Sequence, residues 1–154
     1  ENSTNDQIEV VPVSNPPYTT PKMWRALENI VGGAPVLVKN GTIIEDFNEE
    51  KTRVSFLTNR HPRTAIGIKE NGDWLFVVVD GRFYKIFGGM TMKELAELMF
   101  SLGAKDALNL DGGSSSTMVI HDIVINTPCG NRDENGKQVR QVSDAILIFP
   151  LSYP

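Results

Sequence analysis

The stretch Ala107–Ile120 constrains the fold and chemistry of this chain more than any other. An apolar run ends at the carboxylate of Asp111, two glycines and four hydroxyl residues follow, and apolar residues resume at Met118. This order predicts a strand, a polar loop and a second strand. Gly112 and Gly113 admit backbone angles closed to other residues, which lets successive N–H groups converge on one point. The stretch therefore predicts an anion cradle, and a glycine-rich β-turn with solvated serines is the alternative.

The composition of the chain argues against several classes of binding partner. The 154 residues, 40% apolar and 22% charged, suffice for one ordinary core. The net charge of −4 leaves no basic excess for nucleic acid, and no lysine follows the glycines at the spacing of a nucleotide-binding P-loop. No apolar run has the length of a membrane span. The one cysteine, Cys129, does not decide the redox compartment.

The chain is predicted to hold one domain behind a tail. Residues 1–20 are polar and form a tail, or one edge strand around Ile8–Val11, and residues 21–154 form the domain. A helix begins at Thr20-Pro21 and ends at Gly32-Gly33. A first hairpin then turns at Asn40-Gly41, the dipeptide that type I′ turns favour, between strands Val36–Lys39 and Thr42–Glu45. Residues 46–59 are interpreted as a loop.

A second hairpin is predicted around Asn71-Gly72. Its strands are Thr64–Lys69 and Trp74–Val79, and counting back from a two-residue turn places Arg63 opposite Asp80. A cation then faces a carboxylate at one end of the sheet, and the alternative is a surface ion pair worth at most about 1 kcal/mol.

A helix over residues 92–102 follows, with Thr91 and Glu94 as its capping box and Gly103 as its stop. With the strands on either side it forms a β-α-β unit, whose parallel strands bring their carboxyl ends to one edge of the sheet. The predicted fold is therefore α+β: a single domain with a mixed twisted sheet, β-hairpins, one β-α-β unit and about two helices. Its core is expected from Trp74, Leu75, Val77, Val79, Leu95, Leu98, Leu108 and Leu110.

This topology predicts that polar residues gather at one sheet edge. Asp80 and Asp111 end the two parallel strands, and a return through a turn at His121-Asp122 brings Asn126 to the same place. A last strand, Ser143–Phe149, is expected to begin there too, after a covering loop over residues 127–141. Open sheets with parallel strands commonly bind ligands beyond the carboxyl ends of those strands.

Asn109-Leu-Asp-Gly-Gly-Ser-Ser-Ser-Thr117 resembles the Asn-Leu-Asp-Gly-Gly-Gly-Ser-x-Thr signature of the phosphodiester glycosidase family. Other stretches agree with the family in order: Arg63-Thr-Ala-Ile-Gly67, Asp80-Gly81, the helix at Met92–Leu98, and Arg140-Gln-Val-Ser143. The resemblance covers roughly residues 24–149. It implies a hydrolase that cleaves the bond between C1 of a sugar and a phosphodiester, on a glycan or exopolysaccharide outside the cytoplasm.

The resemblance and the topology together give a set of site residues. The expected catalytic carboxylates are Asp111 and, second to it, Asp80, which would act as acid, base or nucleophile at the anomeric carbon. For Asp111, the alternative is a carboxylate that only accepts N–H bonds within its own turn. The expected substrate and phosphate ligands are Arg63, Thr64, Asn109, Gly112, Gly113, Ser114, Ser115, Thr117, Asn126, Arg140 and Ser143.

The sequence gives less support to a role for the histidines or for a metal ion. His61 adjoins the proposed site, but an exposed loop histidine is the simpler interpretation, and two distant histidines make no metal-ligand set. We expect no metal and no cofactor, although the sequence leaves open a divalent ion on Asp80 and Asp111.

Two departures from the family pattern give a competing hypothesis. Ser114 stands where the family has a third glycine, and nothing in residues 1–20 resembles the family's upstream Asn-Gly-Gly-Phe-Phe-like segment. We therefore expect part of the site to come from a second chain or segment. The competing hypothesis is a binding module that holds a phosphorylated carbohydrate without cleaving it; a purely structural domain would leave the arginines unexplained.

Overall fold

The computed structural model describes residues 30–47, 50, 52–82, 88–130 and 140–149. The chain divides into the units Glu1–Gly32 and Gly33–Pro154, and the elements below belong to the second. The predicted tail, its edge strand and the helix from Thr20-Pro21 lie outside the described residues, apart from residues 30–32, which form no helix. The division into a tail and one domain stays a prediction.

A five-stranded sheet carries the second unit. Its strands are β1 (Val36–Lys39), β2 (Thr42–Ile43), β3 (Arg63–Lys69), β4 (Trp74–Val79) and β5 (Ala104–Asn109), in the order β2-β1-β5-β3-β4. Each neighbouring pair is antiparallel. Because β3 lies between β4 and β5, these two strands run in the same direction. Their carboxyl ends therefore share one edge, which confirms the α+β prediction and its β-α-β unit.

The first hairpin follows the prediction. Asn40 and Gly41 both have positive φ angles, 50° and 71°, as a type I′ turn requires between β1 and β2. The register of the second hairpin differs from the prediction. Gly72, with φ of 88°, donates its N–H to Lys69 O, and Lys69 N–H donates to Asp73 O. The loop thus has three residues, Glu70–Gly72, instead of two.

That extra residue shifts the pairing of β3 and β4 by one position. Arg63 lies opposite Val79, so the expectation that it faces Asp80 is wrong. Residues paired across two strands lie on the same face of a sheet, so Arg63 shares its face with Val79, which packs against the core, and it is 1% exposed.

Two helices are present in the described part of the chain. Helix α1 (Val54–Thr58) occupies a segment that was expected to be a loop. Helix α2 (Met92–Ser101) has the predicted capping box: the Thr91 hydroxyl accepts from Glu94 N–H, and the Glu94 carboxylate accepts from Thr91 N–H. Gly103, with φ of 88°, ends it as predicted. Backbone bonding to Thr91 is the main cause of the lowered pKa of Glu94.

The core lies between α2 and the sheet. Helix α2 packs on β1, β3 and β5, and its inner face carries Met92, Leu95, Ala96 and Met99, all fully buried. Of the predicted core, Leu95 is buried and Leu75, Val77 and Val79 pack partly buried against it, whereas Trp74 is 61% exposed and stacks on Phe76. The other core residues are Leu37, Val38, Phe47, Ala65, Ala104 and Ala107.

A separate hairpin follows the glycine-rich loop. Strands β6 (Val119–Ile120) and β7 (Ile123–Val124) turn through His121 and Asp122, which have φ of 48° and 63°, as predicted. The predicted last strand is not formed. Residues 143–149 make no strand, and Leu147 and Phe149 are more than 70% exposed. Strands need a hydrogen-bonded neighbour, and the described residues supply none to this segment. Within the described ranges, no helix has the length and apolarity to cross a membrane.

Candidate functional site

The glycine-rich loop is anchored to the start of β3 by its backbone. Gly113 N–H donates to Pro62 O at 2.8 Å, and a Cβ on Gly112 would lie 2.8 Å from the same oxygen. On the other side of this segment, a Cβ on Gly89 would overlap the carbonyl of His61. The backbone of His61 and Pro62 is therefore held between two glycines, in contacts too close for any side chain.

The loop does not form the expected cradle of N–H groups. Gly112 N–H donates to Asp111 Oδ1 at 2.9 Å, and those of Gly113, Ser115 and Ser116 donate to backbone carbonyls. The 3-10 turn over Gly113–Ser115 accounts for the bonds of Ser115 and Ser116, whose N–H groups donate to Gly112 O and Gly113 O. These four N–H groups are therefore engaged within the protein, and the hydroxyls of Ser114 and Ser115 face Arg140.

Arg140 supplies the cation beside those hydroxyls. Its Nη1 donates to Ser114 Oγ at 2.9 Å and to Ser115 Oγ at 3.3 Å. These contacts bring together residues 26 and 25 positions apart, as the sequence predicted. A pocket of about 380 Å³ opens here, lined by Arg82, Ser114, Cys129, Gly130 and Arg140. This volume lies within the range of small-molecule sites.

Arg82 is a site residue that the sequence analysis missed. It follows Asp80-Gly81 at the end of β4 and has a positive φ of 62°. Its Nη2 lies 3.3 Å from His61 Nδ1, and a Cβ on Gly113 would lie 3.3 Å from the same Nη2. The guanidinium thus packs on the bare backbone of the loop. Its place directly after a strand that ends at the predicted edge was the signal that could have identified it.

Asp80 and Asn126 are in contact, as predicted, but their hydrogen bonds hold two segments of the chain together and leave Asp80 little freedom to act on a ligand. Asn126 Nδ2 donates to Asp80 Oδ1 and Thr127 N–H donates to Asp80 Oδ2, both at 2.8 Å. Asn126 also bonds the backbone of Ser116 and Met118. Both carboxylate oxygens of Asp80 are therefore engaged in tying the end of β4 to the segment after β7.

Arg63 lies beneath the site, and its guanidinium does not reach the pocket. Nε donates to Met90 O at 2.8 Å, and Nη2 donates to Phe56 O and Asn59 O at 2.8 and 2.9 Å. The guanidinium also stacks over the Phe56 ring at 4.8 Å. Burial and the nearby charge of Arg82 lower the pKa of Arg63 to about 10, so it remains a cation at neutral pH. Its expected role as a direct phosphate ligand does not fit this enclosure.

Of the remaining predicted site residues, some make hydrogen bonds inside the protein and the others are exposed to solvent. Asn109 is buried and donates to Ala34 O, and its Oδ1 has no hydrogen-bond partner among the described residues. Thr64 Oγ1 donates to Ser116 Oγ at 3.1 Å. Asp111, Thr117 and Ser143 are exposed.

The charge at this edge is predominantly positive. The guanidinium groups of Arg82 and Arg140 line the pocket, and that of Arg63 lies below it. Burial first, and then the charges of Arg63 and Arg82, lower the pKa of His61 below its ordinary value. Asp111 is the carboxylate that stays accessible in the loop. No group of three metal-binding side chains occurs in the described part of the chain.

Comparisons of the sequence and of the structure with known proteins agree on one family. A family model described as phosphodiester glycosidase matches residues 2–149. The N-acetylglucosamine-1-phosphodiester alpha-N-acetylglucosaminidase of Bos taurus is 27% identical over 129 residues, which are 77% of this chain and 24% of that protein. The chain thus spans about a quarter of the length of this curated relative.

Two solved structures share the fold. A hypothetical protein from Synechocystis superposes with a TM-score of 0.61 at 31% identity, over 70% of this chain and 20% of its own. The catalytic domain of zebrafish N-acetylglucosamine-1-phosphodiester alpha-N-acetylglucosaminidase, auto-inhibited by its pro-peptide, gives a TM-score of 0.54 at 28% identity. That match covers 62% of this chain and 34% of the zebrafish chain.

Proposed function

The chain belongs to the phosphodiester glycosidase family, and from this membership we propose that it hydrolyses the bond between C1 of a sugar and the oxygen of a phosphodiester. One observation carries the proposal: the guanidinium groups of Arg82 and Arg140 and the hydroxyl of Ser114 line one pocket. This combination suits a phosphate, since guanidinium groups form charge-assisted bonds to its oxygens.

The phosphate lies between the two arginines in this proposal. Arg140 is held by Ser114 and Ser115, and Arg82 is held against Gly113, so both guanidinium groups are oriented before a ligand arrives. Such preorganisation lowers the entropy lost on binding. Arg63 adds a buried positive charge that contacts no ligand but favours an anion above it.

Asp111 is the carboxylate that we assign to the chemistry. The oxygen of a water molecule bonds to C1 and becomes the hydroxyl of the released sugar, and the second proton of the water passes to a base or to solvent. The bond from C1 to the phosphate oxygen breaks, and the phosphate leaves as an anion beside the arginines. This leaving group needs less protonation than an alcohol does, so one carboxylate can act as acid, base or nucleophile without a second. Asp80 is less suited, because both of its oxygens accept hydrogen bonds from the protein.

The same geometry favours a second candidate, a non-catalytic module that binds phosphorylated carbohydrate. Glycosidases ordinarily use two carboxylates, and among the described residues that of Asp111 is the accessible carboxylate of this loop. The chain also spans about a quarter of its curated relative. In either case we propose a phosphorylated sugar of a glycan or exopolysaccharide as ligand, a location outside the cytoplasm, no cofactor, and a second chain or segment that completes the site.

Replacing Arg140 with methionine tests the phosphate site. We expect the affinity for a synthetic N-acetylglucosamine-1-phosphodiester to fall roughly ten- to a hundredfold, because a charge-assisted pair of bonds is lost. Lys105→Met is the matched control, since it removes the same charge from the start of β5, where Lys105 pairs with Glu70. Isothermal titration of both variants measures the change, and an equal effect in the two would contradict the proposed site.

Replacing Asp111 with asparagine separates hydrolysis from binding. We expect sugar release to slow by roughly two to four decades, the contribution of a general acid or base, while ligand affinity is retained. The rate of sugar release and the affinity are measured on the same phosphodiester. Asp80→Asn serves as the comparison, and it should instead lower the unfolding temperature because it weakens the hydrogen bonds to Asn126 and Thr127. A parent protein that binds but never releases sugar, even when supplied with the chain or segment that completes the site, would establish the binding module.

A further inference from the structure

The orientation of Arg82 depends on two neighbours. An exposed arginine ordinarily samples many rotamers, and fixing one of them costs conformational entropy. Here Nη2 lies 3.3 Å from His61 Nδ1, and the bare backbone of Gly113 lies against the same end of the guanidinium. Of these two neighbours, the histidine is the one that has a hydrogen-bonding side chain.

His61 is itself fixed by its backbone. His61 N–H donates to Met90 O at 3.2 Å, and Met90 N–H donates to His61 O at 2.9 Å. These bonds do not involve the imidazole. The side chain can therefore be replaced while the backbone at this position keeps its course.

The contact with Arg82 requires a neutral imidazole. A guanidinium can only donate, so Nδ1 must accept, and the ring proton must lie on Nε2. Burial and the charges of Arg63, from β3, and of Arg82, from the end of β4, favour this state, whereas the neighbouring Arg60 is paired with Glu94 of α2. Gly89 and Met90, which contact the His61 backbone, carry no titratable side chain, and Asp111 is the carboxylate of the glycine-rich loop.

We propose that neutral His61 positions the Arg82 guanidinium for phosphate binding, and that protonation of His61 releases it. The proposal rests on the function proposed above. His61 is a positioning residue that touches Arg82 and not the ligand. Its lowered pKa favours the neutral imidazole at neutral pH, and the guanidinium is released as the pH falls through that lowered pKa.

Binding of dimethyl phosphate across pH tests the proposal. This probe has no bond that the enzyme would cleave, and its single charge does not titrate between about pH 5 and 8, so a change reports on the protein. We expect the dissociation constant, measured by 31P NMR titration, to rise about tenfold from pH 7.5 to about 5, as one hydrogen bond to a charged group is lost.

Two variants distinguish positioning from other roles. His61→Leu has no acceptor and should bind about tenfold more weakly than the parent at pH 7.5, with no further loss at low pH. His61→Asn can place an oxygen near the position of Nδ1, so it should bind nearly as tightly as the parent and lose the pH dependence. Tighter binding of the parent at low pH would overturn the proposal, because His61 would then be a cationic ligand, and so would parent-like binding by His61→Leu.

The free protein provides a readout that does not depend on the proposed function. Imidazole 15N shifts should show an unprotonated Nδ1, and Arg82→Met should raise the pKa of His61 because it removes a donor and a charge. A parent that binds no dimethyl phosphate but shows both signatures would refute the phosphate site and retain the contact. A proton on Nδ1 would refute the positioning role itself.

Discussion

Replacing Arg63 with methionine is expected to lower the free energy of unfolding by about 3 kcal/mol or more. The side chain is 1% exposed, and its guanidinium donates to Phe56 O, Asn59 O and Met90 O. Methionine fills part of the volume but leaves buried carbonyl groups without a donor, at about 1–3 kcal/mol each where no other donor replaces the lost one. Three segments, α1, the turn after it and the residues before α2, lose their common attachment.

Chemical denaturation of the variant measures this loss. Arg82→Met is the matched control, because it is the same chemical change at an exposed arginine, and we expect it to cost less than about 1 kcal/mol. Arg63→Lys should fall between the two, since a lysine keeps the charge but cannot reach three carbonyls at once. Equal unfolding midpoints for Arg63→Met and Arg82→Met would contradict a structural role for Arg63.

Replacing Gly89 with alanine is expected to cost several times more than the same replacement at Gly72. Both residues have φ of 88°, so both variants place an L side chain in the left-handed region. At Gly72 nothing lies within 4 Å of the new Cβ, and we expect a cost of about 1 kcal/mol. At Gly89 the new atom overlaps the carbonyl of His61, so backbone must move as well.

Thermal unfolding of the two alanine variants isolates this contact, because the backbone strain is common to both. The Gly89 variant should also weaken phosphodiester binding, since a shift of the backbone at His61 displaces the partner of Arg82. A Gly89→Ala variant as stable as Gly72→Ala would mean that residues 61 and 89 do not approach each other this closely.

Features that depend on neighbours in sequence were predictable. The turn at Asn40-Gly41, the capping box of Thr91 and Glu94, and the hairpin at His121-Asp122 each follow from local backbone preferences. The convergence of Asp80 and Asn126 followed from two steps: the helical crossover brings the chain back to the edge where Asp80 ends its strand, and the hairpin at His121-Asp122 returns it there again.

Features that depend on a register or on a distant partner were not predictable. Two- and three-residue loops both accommodate Asn71-Gly72, and the difference between them decides whether Arg63 lies opposite Asp80 or opposite Val79, which packs against the core. The positive φ that aims Arg82 at Gly113 has no signal in an arginine. The continuous apolar run at 145–149 is typical of a buried strand, but a strand also requires a hydrogen-bonded neighbour, which the pattern cannot supply.

Gly89 and Gly112, which enclose the backbone of His61 and Pro62 in space, affect how such a site can change between related proteins. Gly89 and Gly112 fix this segment through main-chain contacts alone, so the course of the backbone does not depend on which side chain stands at position 61. We therefore expect evolution to retain both glycines and to exchange the side chains at positions 61 and 82. Ligand preference can then change by single substitutions, without remodelling of a loop.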